Sequence, residues 1–193
     1  MMLRSKGELE FRPAGQADWA LIWPLWHHIV IAGDTYSYEP DTTSDDARML
    51  WLTSDVQIDT ECWLVETAGY GAQPRSTVGT YHLGPNHAGP GSHIANASYM
   101  VDASARGHGV GRAMVEHSIR RARALGYRGI QFNAVAATNV HAIKLYRDLG
   151  FVTVGTIPGG FRHPRQGFVD LLIMYLDLTV PPSSSTGRTG SLG

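Results

Sequence analysis

Residues Ala105–Met114 read ARGHGVGRAM. Glycine occupies every second position, at Gly107, Gly109 and Gly111, and an arginine flanks the set on each side, Arg106 and Arg112. Upstream, Ile94–Asp102 (IANASYMVD) reads as a strand. Downstream, Gly111–Leu125 reads as a helix with Val115, Ile119 and Ala122 on one face and Gly126 as its stop. A strand, a run of bare backbone and a helix start together suit an anion. Glycine lets backbone N–H groups converge, and the helix N-terminus adds partial positive charge. Two phosphate-loop patterns are excluded. A G-x-G-x-x-G fingerprint needs glycine where Arg112 stands, and the Gly-Lys-Ser/Thr of a Walker A loop is absent. The remaining spacing is R-x-x-G-x-G over Arg106, Gly109 and Gly111. The same residues would also serve a tight turn that only caps a helix, so the rest of the chain has to decide.

Outward from this stretch, strands and helices alternate. Leu9–Arg12 reads as a short strand, followed by a helix N-capped by Asp18, with Pro24 as a kink and Gly33 as its end. Ser44–Leu52 reads as a second helix, with Asp45 and Asp46 at the positive end of its dipole. Cys62–Thr67 and Ser76–Leu83 read as strands joined by a Gly-rich turn, and Gly84–His93 as a loop. Gly129–Val135 is the strand after the glycine-led helix. Asn139–Leu149 is the next helix, capped by Asn139 and stopped by Gly150. FVTVGTI (151–157) and VDLLIMYLDL (169–178) complete the strands. The pattern predicts one mixed α/β domain over residues 1–180 and a disordered tail at 181–193 (PPSSSTGRTGSLG).

The stretch NVHAIKLYRDLGF (Asn139–Phe151) settles the choice left open above. With R-x-x-G-x-G it resembles the two hallmarks of the GCN5-related N-acetyltransferase (GNAT) superfamily, in family order and with a strand between them. The likeness covers about residues 8–177. It implies a central, mostly antiparallel sheet whose strands Ile94–Val101 and Ile130–Val135 splay apart. It implies acetyl-CoA as co-substrate, with its pyrophosphate on Arg106, Gly107, His108, Gly109, Val110, Gly111 and Arg112. The pantetheine arm then pairs with backbone around Met100 and Val101, and Asn139 caps a helix beside the cofactor. Tyr146 ends near the sulfur, where a phenol with a reference pKa of about 10 is protonated and able to donate to the leaving thiolate. The alternative for Tyr146 is a packing residue.

The acceptor is addressed by GDTYSYEPD (Gly33–Asp41), where this superfamily places an acceptor loop. Thr35, Tyr36 and Tyr38 in it, together with Asn96 and Asn133 on the two splayed strands, resemble the branch that acetylates proline analogues such as azetidine-2-carboxylate and the phosphinothricin-type enzymes. Asn96 cannot act as a base at neutral pH but can orient an amine by donating and accepting. Asn133 could instead bond its own strand end. Glu66 and His82 are further base candidates, each with a plainer reading as a strand residue. The resemblance also implies a homodimer. Competing readings are a protein or peptide N-acetyltransferase and a non-catalytic acyl-CoA sensor.

Composition bounds the rest. The formal net charge is −1 over 193 residues, without the basic excess that draws a chain to nucleic acid or an acidic membrane. The single cysteine, Cys62, excludes an internal disulfide and reads as a buried thiol. His82, His87 and His93 lack acidic or Cys partners at ligand spacing, so no metal is expected. The N-terminus shows no signal-peptide pattern, and a small-molecule amine handled in the cytoplasm is the expectation.

Overall fold

The computed structural model describes residues 8–52, 60–67 and 75–180. The predicted tail and most of the Gly-rich turn after Thr67 lie outside these residues. The strands are β1 (Leu9–Pro13), β2 (Glu61–Thr67), β3 (Ser76–Pro85), β4 (Ile94–Val101), β5 (Gly129–Ala136), β6 (Val152–His163) and β7 (Gly167–Asp177). The helices are α1 (Trp19–Ala32), α2 (Ser44–Leu52), α3 (Val110–Ala124) and α4 (Val140–Asp148). The strands form one sheet in the order β1-β2-β3-β4-β5-β7-β6. Every neighbouring pair is antiparallel except β4–β5. This is the expected mixed, mostly antiparallel architecture.

Successive residues of a strand face opposite sides of its sheet, and β4 feeds two cores accordingly. Ala95 and Ala97 pack with Val110, Met114, Val115 and Ile119 of α3. Met100 packs on the other side with Ile22 and Trp26 of α1 and Trp51 of α2. Trp19 is buried in the same core and Trp23 lies against it, so the tryptophans of the first two helices are packing residues. Among the described residues no helix is long and apolar enough to cross a membrane.

Two boundaries differ from expectation. Asp18 does not cap α1 with its side chain. It is already helical in backbone, its carboxylate accepts the Gly15 N–H at 2.9 Å, and it pairs with Arg12 at 2.8 Å. The chain enters α1 through a 3-10 turn at Gln16–Asp18, so the extended residue three positions earlier, Gly15, starts the helical segment. Pro24 lies inside α1, which runs on to Ala32 before Gly33 ends it at φ 64°. The last difference is the length of β6, which continues through Pro158-Gly159-Gly160 to His163 instead of stopping at Ile157. The register slips between Ile157 and Phe161, where Gly159 takes φ 61° and its N–H is held by Asp170 Oδ1 at 3.0 Å. An edge strand tolerates such a proline because its outer N–H positions need no partner.

The β4–β5 pair carries the functional geometry. Only Ile94↔Gly129 and Ala95↔Ile130 are in register. Beyond them the two strands run on without pairing, to Val101 and Ala136, which leaves a gap in the middle of the sheet.

Candidate active site

The edge of β4 decides what faces this gap. In an antiparallel ladder, alternate residues turn their N–H and C=O to the same neighbour. The Asp102 N–H bonds Val78 O at 2.9 Å, so the residues of its parity, including Met100, address β3. Tyr99 and Val101 therefore address the gap. Met100 was expected to share the pantetheine pairing with Val101, but its backbone serves the β3 ladder and its side chain is buried in the core. Tyr99 faces the gap in its stead, a residue the sequence reading missed because parity needs a register that one strand alone does not reveal. The acceptor loop reaches the same edge: Tyr36 Oη donates to Tyr99 O at 2.8 Å. Tyr36 stacks on Tyr38 at 5.6 Å, and Tyr38 leans on Trp26 at 5.3 Å. Thr35 is half-buried at the start of this run.

At the top of β4 the glycine loop turns into α3. Gly107 and Gly109 have φ 77° and 83°, in the left-handed region that other residues resist, and a Cβ on either would meet no protein atom within 4 Å. The glycines are thus required by the backbone's turn and leave open space beside it. Gly111 is helical, and its Cβ would make ordinary 3.8 Å contacts with Leu145 and Val101. Gly109 stands at the N-cap of α3 with no side-chain cap, and the first turn carries no acid. The opening N–H groups, from Val110 to Arg112, have no intrahelical partner. Arg106 and His108 are exposed beside them. The Arg112 side chain turns away: it pairs with Asp148 of α4 at 3.1 Å and Glu116 at 3.8 Å. What Arg112 has left to offer an anion at the loop is its backbone N–H.

The helix after β5 begins with the expected cap, Asn139 Oδ1 accepting the Ala142 N–H at 3.2 Å. Roughly two turns on, Tyr146 packs its ring on Phe132 (4.5 Å) and Phe151 (5.7 Å) and lies 6.4 Å from the Tyr99 ring. Burial alone pushes its hydroxyl above the usual phenol range, so it is protonated throughout the neutral region.

Below the gap, where β4 and β5 first part, side-chain amides fill the space. Asn96 Nδ2 donates to Gln131 O at 3.0 Å and to Asn86 Oδ1 at 3.3 Å. Asn133 Nδ2 donates to the same Asn86 oxygen at 2.6 Å, and Gln131 Nε2 donates to Asn133 Oδ1 at 2.8 Å. The structure thus brings Asn96 and Asn133 together as expected and adds Asn86 and Gln131. Asn86 was hidden in a stretch legible only as loop.

The other base candidates sit elsewhere or are weak bases. Glu66 pairs with Arg12 of β1 at 3.0 Å. His82 stacks on Trp51 at 4.5 Å, with its pKa pushed down to about 4 by burial, and is neutral at pH 7. Cys62 is a buried thiol with its pKa pushed up to about 12 by burial. Among the described residues no three His, Cys, Asp or Glu side chains gather as a metal site.

The model of the acetyltransferase (GNAT) family matches residues 23–151. A structure of a GCN5-related N-acetyltransferase from Kribbella flavida is 43% identical, covers 88% of this chain and 97% of its own, and superposes with a TM-score of 0.80. The Salmonella typhimurium protein yncA, solved with acetyl-CoA, shares the fold at 21% identity and TM-score 0.71, over 93% of this chain and 99% of its own. The N-acetyltransferase aca1 of Schizosaccharomyces pombe is 34% identical over 99 residues, 51% of this chain and 47% of aca1. The match thus spans about half the length of that curated relative.

Proposed function

Because the chain belongs to the acetyltransferase (GNAT) family, we propose that it moves the acetyl group of acetyl-CoA to the amine of a small molecule, an amino acid or a proline-like analogue. The observation that carries this reading is the gap itself. The Tyr99 N–H and the Val101 edge groups face the gap without a strand partner, between an uncapped helix start and a protonated phenol, Tyr146, while Tyr99 O takes the Tyr36 hydroxyl. The amide-rich pantetheine fits such an edge as an added strand does. The free N–H groups of Gly109 to Arg112, with Arg106 and His108 beside them, suit its pyrophosphate.

The chemistry then follows from the residues. Asn96 orients the neutral amine at the foot of the gap. The amine nitrogen bonds to the thioester carbonyl carbon, and a backbone N–H of Tyr99 or Val101 donates to the oxyanion that forms. As the carbon–sulfur bond breaks, Tyr146 Oη gives its proton to the thiolate, the amine gives its proton to solvent, and solvent returns one to the Tyr146 oxygen, which restores the phenol. Asn96 Oδ1 offers an acceptor and the second hydrogen of Asn133 Nδ2 a donor, which suits an amine with a neighbouring carboxylate. Thr35, Tyr36 and Tyr38 close the acceptor side. A homodimer belongs to this proposal: β6 is an edge strand carrying exposed Val152, Val154 and Ile157, an apolar edge that water-facing strands ordinarily avoid. Sedimentation that finds only monomer at micromolar concentration removes that part.

The deciding experiment incubates the protein with acetyl-CoA and a panel of amines and reads thiol release. Small amino acids and proline analogues should lead the panel. Turnover with peptides or polyamines only overturns the substrate class, and no turnover with any amine leaves the sensor reading.

A further inference from the structure

A side-chain amide presents its oxygen or its nitrogen depending on a flip of its terminal torsion, and its neighbours decide which. At the foot of the gap that decision starts from a single backbone group. The splay of β4 from β5 leaves the Gln131 carbonyl without a ladder partner, and a carbonyl only accepts. Asn96 must therefore turn its Nδ2 toward it, at 3.0 Å. The second hydrogen of that nitrogen lies at 3.3 Å donor–acceptor distance from Asn86 Oδ1, so Asn86 must show its oxygen. That oxygen also takes Asn133 Nδ2 at 2.6 Å, which turns Asn133 Oδ1 outward to Gln131 Nε2 at 2.8 Å. One acceptor, Asn86 Oδ1, thus holds the amides of both splayed strands in a single polarity.

We infer that Asn86 is a positioning residue for acetyl transfer, fixing Asn96 and Asn133 so that Asn96 offers an oxygen, and not an N–H, to the incoming amine. The inference rests on the reading of Asn96 and Asn133 as acceptor contacts. Its chemical point is the amine lone pair. A neutral amine attacks through that lone pair, and an N–H donated to it would tie up the nucleophile. An oxygen acceptor takes an amine hydrogen instead and leaves the lone pair free for the carbonyl carbon. With both hydrogens of Asn96 Nδ2 committed to Gln131 and Asn86, its Oδ1 is the atom left for substrate.

The test is a set of variants read by kcat and KM for the acceptor and by the Kd of acetyl-CoA. Asn86→Ala should lower kcat/KM for the acceptor about tenfold, the worth of one hydrogen-bond partner that is not fully buried, with the acetyl-CoA Kd within about threefold. In a background carrying Asn96→Ala and Asn133→Ala, the same Asn86→Ala should change nothing further, since it acts through those two amides. Asn86→Asp keeps the accepting oxygen and should hold activity within about threefold of the parent; it carries the test if the alanine variant folds poorly. Full additivity of Asn86→Ala with the double variant, or equal losses in the Ala and Asp variants, overturns the inference. If Asn96→Ala and Asn133→Ala damage turnover while Asn86→Ala leaves it intact, the inference falls and the acceptor reading stands. If Asn96→Ala and Asn133→Ala are themselves silent, the acceptor reading has failed and takes the inference with it.

Discussion

Two helices of this fold start directly after the two splayed strands, and they start in opposite ways. At α4, Asn139 Oδ1 takes the Ala142 N–H, and the Asn139 N–H returns to Ala136 O at 2.9 Å. The chain satisfies that helix start from within. At α3 the residue in the same role is Gly109, which has no side chain to offer. The nearest upstream carboxylate, Asp102, is committed to Ser104, accepting its N–H at 2.8 Å. An Asn or Asp at the start of α3 would supply the kind of cap that Asn139 supplies at α4, and an Asp would add a charge that the helix dipole favours, yet the sequence puts glycine there. Under the proposed function, the difference separates a helix start built for stability from one built for a ligand: α4 is the scaffold that carries Tyr146, and the α3 start is left open for an anion from outside.

The largest test of this division lies at the far end of the scaffold helix. If α4 serves the reaction only by holding Tyr146, then Tyr146→Phe keeps the ring on Phe132 and Phe151 and removes only the proton-donating hydroxyl. We expect kcat to fall about 10²–10⁴-fold, the usual worth of a general acid, with the acetyl-CoA Kd little changed. Single-turnover rates, measured where chemistry limits, check this. Wild-type kcat in the Phe variant means that solvent protonates the thiolate and that α4 carries no catalytic group.

The second test addresses α3. Gly109→Ala strains a left-handed residue but meets no protein atom. Gly126→Ala, at the other end of α3, is its matched control, with φ 81° and equally open surroundings. Both should lose roughly 1–2 kcal/mol of stability, visible as similar drops in Tm. Only Gly109→Ala should also weaken acetyl-CoA, by about ten- to a hundredfold, as a methyl displaces charge-assisted contacts to phosphate. Equal affinities in the two variants by calorimetry would make the α3 start an ordinary turn.

Much of this contrast is legible in the sequence, because it is written in local signals. The glycine turn before α3 and the Asn139 cap are each decided within a few residues; the structure shows the cap as read and bends the turn at Gly107 and Gly109, both at positive φ. What escaped is whatever depends on pairing across the sheet. Tyr99 rather than Met100 faces the gap only because Asp102 bonds Val78, a partner 24 residues away along the chain. Asn86 looks like loop filler until β3 and β4 are zipped in register and its oxygen meets two amides from different strands. Asp18 has the composition of a cap, but the 3-10 turn before it moved the helical segment's start to Gly15. The extension of β6 was masked by Pro158 and two glycines, which break an interior strand and are tolerated at an edge.

The smallest effect is the one that best isolates the comparison. Asn139→Ala removes the cap of α4 and should cost about 1 kcal/mol, a Tm shift of about 2–4 °C for a chain of this size. Asn139→Asp keeps an accepting oxygen and adds a charge that the helix dipole favours, so its Tm should stay at or above wild type. If α4 begins as a self-contained scaffold, acetyl-CoA affinity in both variants should stay within about threefold of wild type, since neither change touches the α3 start. The reverse pattern is a tenfold or greater loss of affinity with an unchanged Tm, most of all in the Asp variant, whose charge would repel a nearby phosphate. That result would mean that Asn139 touches the cofactor itself, and that both helix starts beside the gap are ligand sites.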